Sequence, residues 1–284
     1  MEKTFPEHFL EVQGTKVRYF DLGQGPALVL IHGLGGAAIN WFRNVDALSR
    51  KCRVIALDLP SFGKSETPEV SADEISYDYF TSFLKDFLDQ LKVRKTILVG
   101  NSMGGGIGVD FTLKFPQKVE RLVVVDGSGL GQEISSYKML RQPLLQKILF
   151  QIAANQKIMR QAAKLAVCDP GTVDEATIAA YVNWLKNPKV RKIIDKLGTR
   201  AVDDRGQRWL FVDRLKEIDC PTLIIWGRND RVIPLKQALK AHRLIRKSKL
   251  AVFNHCGHLP HLEKPSQFNR TLLEFLEDDK LEGK

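Results

Sequence analysis

A serine surrounded by glycines is the residue most suited to chemistry in this sequence. Ser102 lies in "LVGNSMGGGIGVDF" (98–111), within a G-x-S-x-G pattern from Gly100 to Gly104. Between a strand and a helix, this pattern predicts a sharp turn that exposes a strained serine hydroxyl. A glycine inside a helix costs about 1 kcal/mol of stability relative to alanine, so we expect a structural reason for these glycines. Those at 100 and 104 would relieve crowding at the turn. The next ones would let the following helix pack tightly on the sheet: Gly105, Gly106 and Gly108.

A serine hydroxyl is a poor nucleophile at neutral pH, so it needs a histidine base and a carboxylate that holds the histidine tautomer. Two later segments provide such groups. "LIIWGRND" ends a predicted strand and supplies Asp230, and "HCGHLPH" follows the next strand with His255, His258 and His261. In a doubly wound sheet these groups belong at the carboxyl ends of the strands. The order serine, aspartate, histidine is the one that such sheets use.

The elements that must position these groups alternate between strands and helices. Runs rich in valine, isoleucine and leucine recur at 16–22, 27–33, 53–59, 96–100, 121–127, 222–227 and 250–253. Their near-continuous apolar character indicates burial on both faces, as in a parallel sheet. Helical patterns lie between most of them, and "YFTSFLKDFLDQL" is the clearest. The sequence therefore predicts an α/β fold with a doubly wound, mostly parallel sheet. The turn "QGTK" predicts an antiparallel hairpin at its start.

The alternation of strands and helices stops between residues 130 and 213. This stretch has helical patterns, as in 142–167 and 175–185, and no convincing strand. We interpret 130–213 as a helical lid inserted into a core domain formed by 1–129 and 214–284. Apolar side chains of the lid would either shape the substrate pocket or form the hydrophobic core of the lid itself. The candidates are Leu144, Leu145, Ile148, Leu149, Phe150, Ile152, Met159 and Trp184.

Five segments together resemble the alpha/beta-hydrolase superfamily, in its order and spacing and over nearly the whole chain. They are "HGLGG" (32–36), "DLPSFGKS" (58–65), "GNSMGG" (100–105), "WGRND" (226–230) and "CGHLPHLEKP" (256–265). The resemblance implies Ser102 as the nucleophile and Asp230 as the acid. His258 matches the family's G-H-x-P pattern and would be the base. Asp126, at the end of "RLVVVD", is the alternative acid, since some relatives place the acid after that strand.

Acyl transfer also needs hydrogen-bond donors for the developing oxyanion. One donor should be the backbone N–H of Met103, which follows the nucleophile. The resemblance implies the N–H of Leu34 as the second, and a structural role for His32 in the same loop. His255 and His261 are expected to pack in their loop rather than to bind a metal. The predicted chemistry requires no cofactor and no metal.

Three functions compete for this site. The first is a carboxylic ester hydrolase that acts on small to medium apolar acyl groups through an acyl-enzyme. The second is a carbon–carbon hydrolase of the meta-cleavage-product type, which "GNSMGG" and "HCGH" also resemble. Three departures weaken this second interpretation. The chain has "HGLGGAA" where that subgroup has a proline, and Leu259 where it has tryptophan. The lid arginine of the subgroup cannot be placed in this sequence, although Arg160 and Arg191 are available. The third is a hydrolase-fold protein that binds a small ligand with little turnover.

Composition and charge bear on which partners and which compartment we expect for this protein. The net charge is +10, which we attribute to a solvated basic surface, because no nucleic-acid motif accompanies it. The densest basic stretch, 236–250, predicts a helix whose apolar side contains Leu239, Leu244 and Ile245. The four cysteines are widely spaced, which favours a reduced compartment. No stretch is apolar enough for a signal peptide or a membrane span, so we expect a cytoplasmic protein without an integral membrane segment.

Overall fold

A computed structural model describes residues 5–134, 160–161, 166–173, 175–203 and 206–278. The strands of the described residues are β1 (Glu7–Val12), β2 (Thr15–Leu22), β3 (Ala27–Ile31), β4 (Arg53–Leu57), β5 (Thr96–Asn101), β6 (Val119–Val125), β7 (Val202–Asp203), β8 (Gly206–Gln207), β9 (Thr222–Gly227) and β10 (Ser248–Phe253). All except β7 and β8 form one sheet in the order β1-β2-β4-β3-β5-β6-β9-β10.

The sheet is parallel from β4 to β10 and antiparallel on both sides of β2. In the first hairpin, Val12 pairs with Thr15, so Gln13 and Gly14 form the turn. Both turn residues have positive φ, 51° and 70°, as a tight hairpin of this kind requires. The predicted mostly parallel sheet with an antiparallel start is therefore confirmed.

Helices cover both faces of the sheet. The described helices are α1 (Val45–Leu48), α2 (Tyr77–Gln90), α3 (Met103–Lys114), α4 (Glu175–Leu185), α5 (Pro188–Ala201), α6 (Lys236–Leu244), α7 (Pro260–Glu263) and α8 (Pro265–Leu276). One hydrophobic cluster joins the sheet to α2, α3 and α6, and another joins it to α1 and α8. Along β3, Val29 and Ile31 belong to the first cluster, whereas Leu28 and Leu30 belong to the second. This double burial explains the unbroken apolar runs in the sequence.

The chain between β6 and β9 contains α4, α5 and a small antiparallel ladder of β7 with β8. The expectation of no strand in 130–213 was therefore wrong. Strands of two residues are too short to show the alternation that identifies a strand in sequence. Every strand of the large sheet lies outside 130–213, and the division into a core and a lid stays a prediction. We use "the cap" for the described residues between 160 and 213.

Most of the apolar residues proposed for the lid pocket lie outside the described part of the chain. These are Leu144, Leu145, Ile148, Leu149, Phe150, Ile152 and Met159, and the side chain of Trp184 lies outside it as well. None of the helices in the described residues is long and apolar enough to cross a membrane.

The basic stretch 236–250 differs from its prediction. Its helix, α6, ends at Leu244, and β10 begins at Ser248. Leu239 is 42% exposed, whereas Ala238 and Ala241 are fully buried. The predicted apolar side of Leu239, Leu244 and Ile245 was therefore wrong for Leu239. Small alanines three residues apart share a helix face and allow close packing, and hydrophobicity alone gave them too little weight.

Candidate active site

Ser102 lies at the turn from β5 to α3, with φ 55° and ψ −117°. A positive φ is uncommon for a residue with a Cβ and indicates local strain. A Cβ added at Gly100 would overlap the backbone of Gly104, and one added at Gly104 would overlap the carbonyl oxygen of Ile31. The turn therefore needs glycine at both positions, as the sequence pattern predicted.

The glycines that follow in α3 make room for two different parts of the structure, the sheet and α2. A Cβ at Gly105 would lie 2.9 Å from the Cα of Gly127, and one at Gly108 would lie 3.3 Å from Leu122 on β6. These two let α3 pack on the sheet, as expected. A Cβ at Gly106 would lie 2.5 Å from the hydroxyl of Tyr77 on α2. The expectation of sheet packing was wrong for Gly106, which makes room for this tyrosine instead.

The predicted acid and base are in direct contact. Asp230 follows β9 and His258 follows β10, and His258 Nδ1 donates to Asp230 Oδ2 at 2.8 Å. Both are buried, with side chains 0% and 8% exposed. Asp230 Oδ1 accepts the backbone N–H groups of Val232 at 2.6 Å and Ile233 at 3.0 Å. Because Nδ1 carries the proton, Nε2 is the nitrogen that can accept one.

The electrostatics favour an ionised Asp230. Burial opposes its charged form, but attraction to His258 and their hydrogen bond outweigh burial, so the pKa of Asp230 lies below its ordinary value. An ionised Asp230 can hold the imidazole in the Nδ1–H tautomer and stabilise the imidazolium that forms when Nε2 takes a proton.

Asp126, the alternative acid, is a buried neighbour of this pair. It follows β6, has φ 45° and is 0% exposed. Its Oδ1 accepts the N–H of Gly227 at 3.0 Å, and ligating atoms of Asp126, Asp230 and His258 all lie within 4.8 Å of one another. Burial and the charge of Asp230 raise the pKa of Asp126 well above its ordinary value, which favours its protonated form. Direct contact with His258 favours Asp230 as the acid.

The cluster of Asp126, Asp230 and His258 is also spaced so that it could hold a cation. Its hydrogen bonding argues for another use. His258 Nδ1 forms a hydrogen bond to the Asp230 carboxylate, which is the contact that an acid–base pair requires.

Backbone contacts join the nucleophile to the acid–base pair. Ser102 N–H donates to the carbonyl of Val125, next to Asp126, at 2.9 Å. Asn101 Nδ2 donates to that carbonyl and to the carbonyl of His258, both at 3.1 Å. Among the described side chains, no hydrogen bond joins Ser102 to His258 in this structure. The contact between nucleophile and base is therefore part of the proposal below, and such contacts often tighten only when substrate binds.

The loop after β3 forms the opposite rim of the site. His32 Nδ1 donates to the carbonyl of Gly33 at 2.8 Å, and His32 Nε2 accepts the N–H of Leu59 at 3.0 Å. Complete burial lowers the pKa of His32, so it is neutral and ties two loops together, in agreement with a structural role. A Cβ at Gly33 would lie 3.0 Å from Ser102 Cβ, so this loop lies against the nucleophile.

The predicted oxyanion donors lie beside Ser102. Met103 is the first residue of α3, and N–H groups in the first turn of a helix lack acceptors within the helix. The positive end of the helix dipole also favours a negative charge there. Leu34 and Met103 line the same cavity as Ser102. Their backbone N–H groups are therefore available candidates for an oxyanion hole.

A cavity of about 250 Å³ opens at Ser102, with walls from the core and the cap. Besides Ser102, its core lining is Leu34, Tyr77, Met103, Ser128, Val232 and Ile233, and its cap lining is Leu197, Gly198, Ala201, Val202, Gln207 and Trp209. Ile134, which follows the core segment that ends in β6, completes the described lining. No charged side chain is present among the described lining residues. Arg160 is 40% exposed and pairs with Glu175, and neither Arg160 nor Arg191 lines this cavity.

A hydrogen-bond chain at the cavity floor was missed in the sequence. Ser128 Oγ donates its one proton to the carbonyl of Ser102 at 3.1 Å. Ser128 Oγ must therefore accept in its other hydrogen bond, in which the hydroxyl of Tyr77 donates at 2.5 Å. Burial raises the pKa of Tyr77 to about 12, which keeps this donor protonated. Gly106 was the sequence feature that could have indicated this contact, because the turn at Ser102 does not explain a third glycine in α3.

The other two histidines of the loop have different environments. His255 is an exposed turn residue with φ 49°, so the expected packing role was wrong for His255. His261 is buried against Trp41, with ring centroids 4.2 Å apart, and burial lowers its pKa to about 3. His261 is thus a packing residue, and His258 is the histidine that contacts the predicted acid.

Comparisons with known proteins agree with this architecture. The sequence profile of the alpha/beta hydrolase fold matches residues 26–265, and the chain belongs to this family. It is 33% identical, over 276 residues, to the 2-hydroxy-6-oxononadienedioate/2-hydroxy-6-oxononatrienedioate hydrolase of Escherichia coli (strain K12), covering 92% of this chain and 91% of the relative.

Two solved structures are similar over nearly their whole length. A meta-cleavage product hydrolase from Pseudomonas fluorescens IP01 has a TM-score of 0.81 at 28% identity, covering 95% of this chain and 97% of that one. A serine hydrolase involved in carbazole degradation has a TM-score of 0.81 at 27% identity, covering 96% and 99%. The protein is therefore a hydrolase of the alpha/beta hydrolase fold.

Proposed function

We propose that this protein hydrolyses a carbon–carbon bond in dienoic oxo acids of the meta-cleavage-product type. The observation that supports this function most strongly is the similarity, over 92% of the chain, to a relative named for hydrolysis of such an acid. The ester hydrolase expected first from the sequence shares the same catalytic groups, and the comparisons support it only at the level of a hydrolase.

In the proposed reaction, His258 Nε2 takes the proton of Ser102 while Asp230 holds the imidazole through Nδ1. Ser102 Oγ attacks the ketone carbon, and the oxyanion is stabilised by the N–H groups of Leu34 and Met103. The dienol reacts as its 2-oxo tautomer, in which the hydroxyl proton has moved to the carbon next to the ketone. When the ketone carbonyl re-forms as the acyl-enzyme ester, the adjacent C–C bond breaks and its electron pair is delocalised through the remaining C=C bond onto the 2-oxo group, which gives a dienolate. That fragment takes the proton from His258, and water then hydrolyses the acyl-enzyme. A carbon leaving group needs such delocalisation, which explains the preference for a conjugated acid.

A second candidate function is hydrolysis of apolar esters. The described lining of the cavity is uncharged and mostly apolar, whereas a dienoic acid brings at least one carboxylate to the site. An uncharged ester would enter this lining without the cost of an unpaired charge.

Steady-state kinetics on two substrate series distinguishes these functions. The substrates are 2-hydroxy-6-oxo-6-phenylhexa-2,4-dienoate and the p-nitrophenyl esters of acetate, butyrate and decanoate. We expect kcat/KM for the dienoate to exceed that of the best ester by at least about tenfold, a difference of about 1.4 kcal/mol in transition-state stabilisation. Ser102→Ala should abolish turnover of every substrate, and Ser82→Ala, which changes an exposed serine on α2, should not.

The opposite ranking, with fast ester hydrolysis and negligible dienoate cleavage, would replace this proposal by the ester hydrolase. Tight retention of the dienoate without product release would instead indicate a binding protein.

A further inference from the structure

One carboxylate holds the loop that contains His258. Glu263, the last residue of α7, is half-buried. Its Oε1 accepts the backbone N–H of Gly257 at 2.9 Å and that of Leu259 at 3.3 Å. These are the amides immediately before and after His258. Hydrogen bonds to a charged acceptor are about twice as strong as neutral ones, so this side chain fixes the backbone on both sides of the base.

The same carboxylate also binds the cap. Glu263 Oε2 accepts the backbone N–H of Cys168 at 2.7 Å. Two residues earlier in the cap, the carbonyl of Ala166 accepts the N–H of His258 itself at 2.7 Å. The cap and the His258 loop are thus joined twice, by hydrogen bonds at 166 and 168.

Gly257 shows how closely the two segments approach. A Cβ at Gly257 would overlap the carbonyl oxygen of Ala166 and would lie 2.9 Å from the Cα of Val167. The cap backbone therefore crosses directly over the His258 loop, and only glycine permits this crossing. Beyond Cys168 the chain continues through α4 into α5, which supplies the cap wall of the cavity.

We infer that Glu263 is a positioning residue that fastens the His258 loop to the cap, so that seating of the cap and placement of the base are set together. This inference rests on the proposed role of His258 as the base. A displacement of about 1 Å in a reacting group can cost about 100-fold in rate. Loosening the Glu263 contacts is expected to slow the proton transfer from Ser102 more than it weakens binding in the cavity.

Phosphonylation of Ser102 by an alkyl fluorophosphonate measures this directly, because the reaction requires the activated serine and does not depend on which substrate is natural. Glu263→Ala removes all three contacts, and we expect the maximal inactivation rate, kinact, to fall at least about tenfold with KI changed less than about twofold. Glu263→Gln keeps an oxygen over Gly257 and Leu259 but turns an NH₂ group toward the N–H of Cys168. Its kinact should lie between those of the alanine variant and the wild type.

Glu274→Gln, which changes an exposed glutamate on α8, is the matched control and should label at the wild-type rate. Circular dichroism and Tm establish that each variant is folded at the assay temperature, and the isosteric glutamine variant decides the question if the alanine variant does not fold. Wild-type kinact in a folded Glu263→Gln variant, or a change confined to KI, would overturn the inference while the role of Ser102 stands. Absence of labelling at Ser102 in the wild type would overturn the proposed function itself.

Discussion

The two walls of the cavity at Ser102 are built in different ways. The core wall consists of strand-end loops tied to one another by hydrogen bonds, among them those of Asn101 to His258 and of His258 to Asp230. The described cap wall consists mainly of apolar side chains such as Leu197, Val202 and Trp209. The core wall therefore holds Ser102, whereas the cap wall presents a mostly apolar surface with Gln207 as a polar exception. We propose that the core wall sets the chemistry and that the cap wall selects the substrate.

The strongest test of the core wall compares its two buried carboxyl groups. Asp230→Asn should lower kcat by about 10⁴-fold, because the amide cannot hold the Nδ1–H tautomer or stabilise the imidazolium. Asp126→Asn should change kcat less than about threefold. An asparagine tolerates the positive φ at 126, and it keeps an oxygen that can accept the N–H of Gly227. Comparable losses in both variants, measured by steady-state kinetics, would show that the two carboxyl groups act as one catalytic unit.

Asp126→Asn should also change how the free energy of unfolding depends on pH. The folded state raises the pKa of Asp126, so the folded protein keeps a proton that the unfolded chain releases above its ordinary pKa of 3.8. This contribution to the free energy of unfolding is present below pH 3.8 and is lost as pH rises toward the folded pKa. Urea denaturation should therefore show Asp126→Asn gaining stability relative to the wild type between pH 4 and pH 8. A difference that does not vary with pH would contradict a neutral Asp126.

A smaller effect is expected on the cap wall. Val202→Phe fills part of the cavity and should lower kcat/KM for the phenyl-substituted dienoate by about 10–100-fold, or about 1.4–2.7 kcal/mol. The value for p-nitrophenyl acetate, which occupies less space, should change less than about threefold. Val70→Phe, at an exposed valine outside the cavity, is the control. Equal losses on both substrates would mean that the cap wall also positions the catalytic groups.

The contrast between the walls also explains what the sequence could predict. Residues of the core wall have local signatures, since the turn at Ser102 needs glycine at 100 and 104 and the acid and base follow recognisable strands. The mostly parallel sheet and its antiparallel start were predictable for the same reason, because the alternation of strands and helices and a two-residue turn are short-range patterns.

Features fixed by tertiary contact were not predictable. Gly106 faces Tyr77, 29 residues earlier in the chain, and Glu263 binds Cys168, 95 residues away. Leu239 was misassigned because burial on α6 follows the close packing of Ala238 and Ala241 rather than hydrophobicity. The cap ladder of β7 and β8 is too short to leave a pattern. The contacts of Gly106 and Glu263 depend on which distant segment packs against them, and a local sequence pattern does not specify that segment.

The most direct test of the central claim, that Ser102 is the nucleophile activated by His258 and Asp230, is mass spectrometry of the protein after reaction with a fluorophosphonate. We expect one adduct per chain, on the peptide that contains Ser102, and much slower formation of that adduct in Asp230→Asn. An adduct on another residue, or none on the folded wild-type protein, would contradict it.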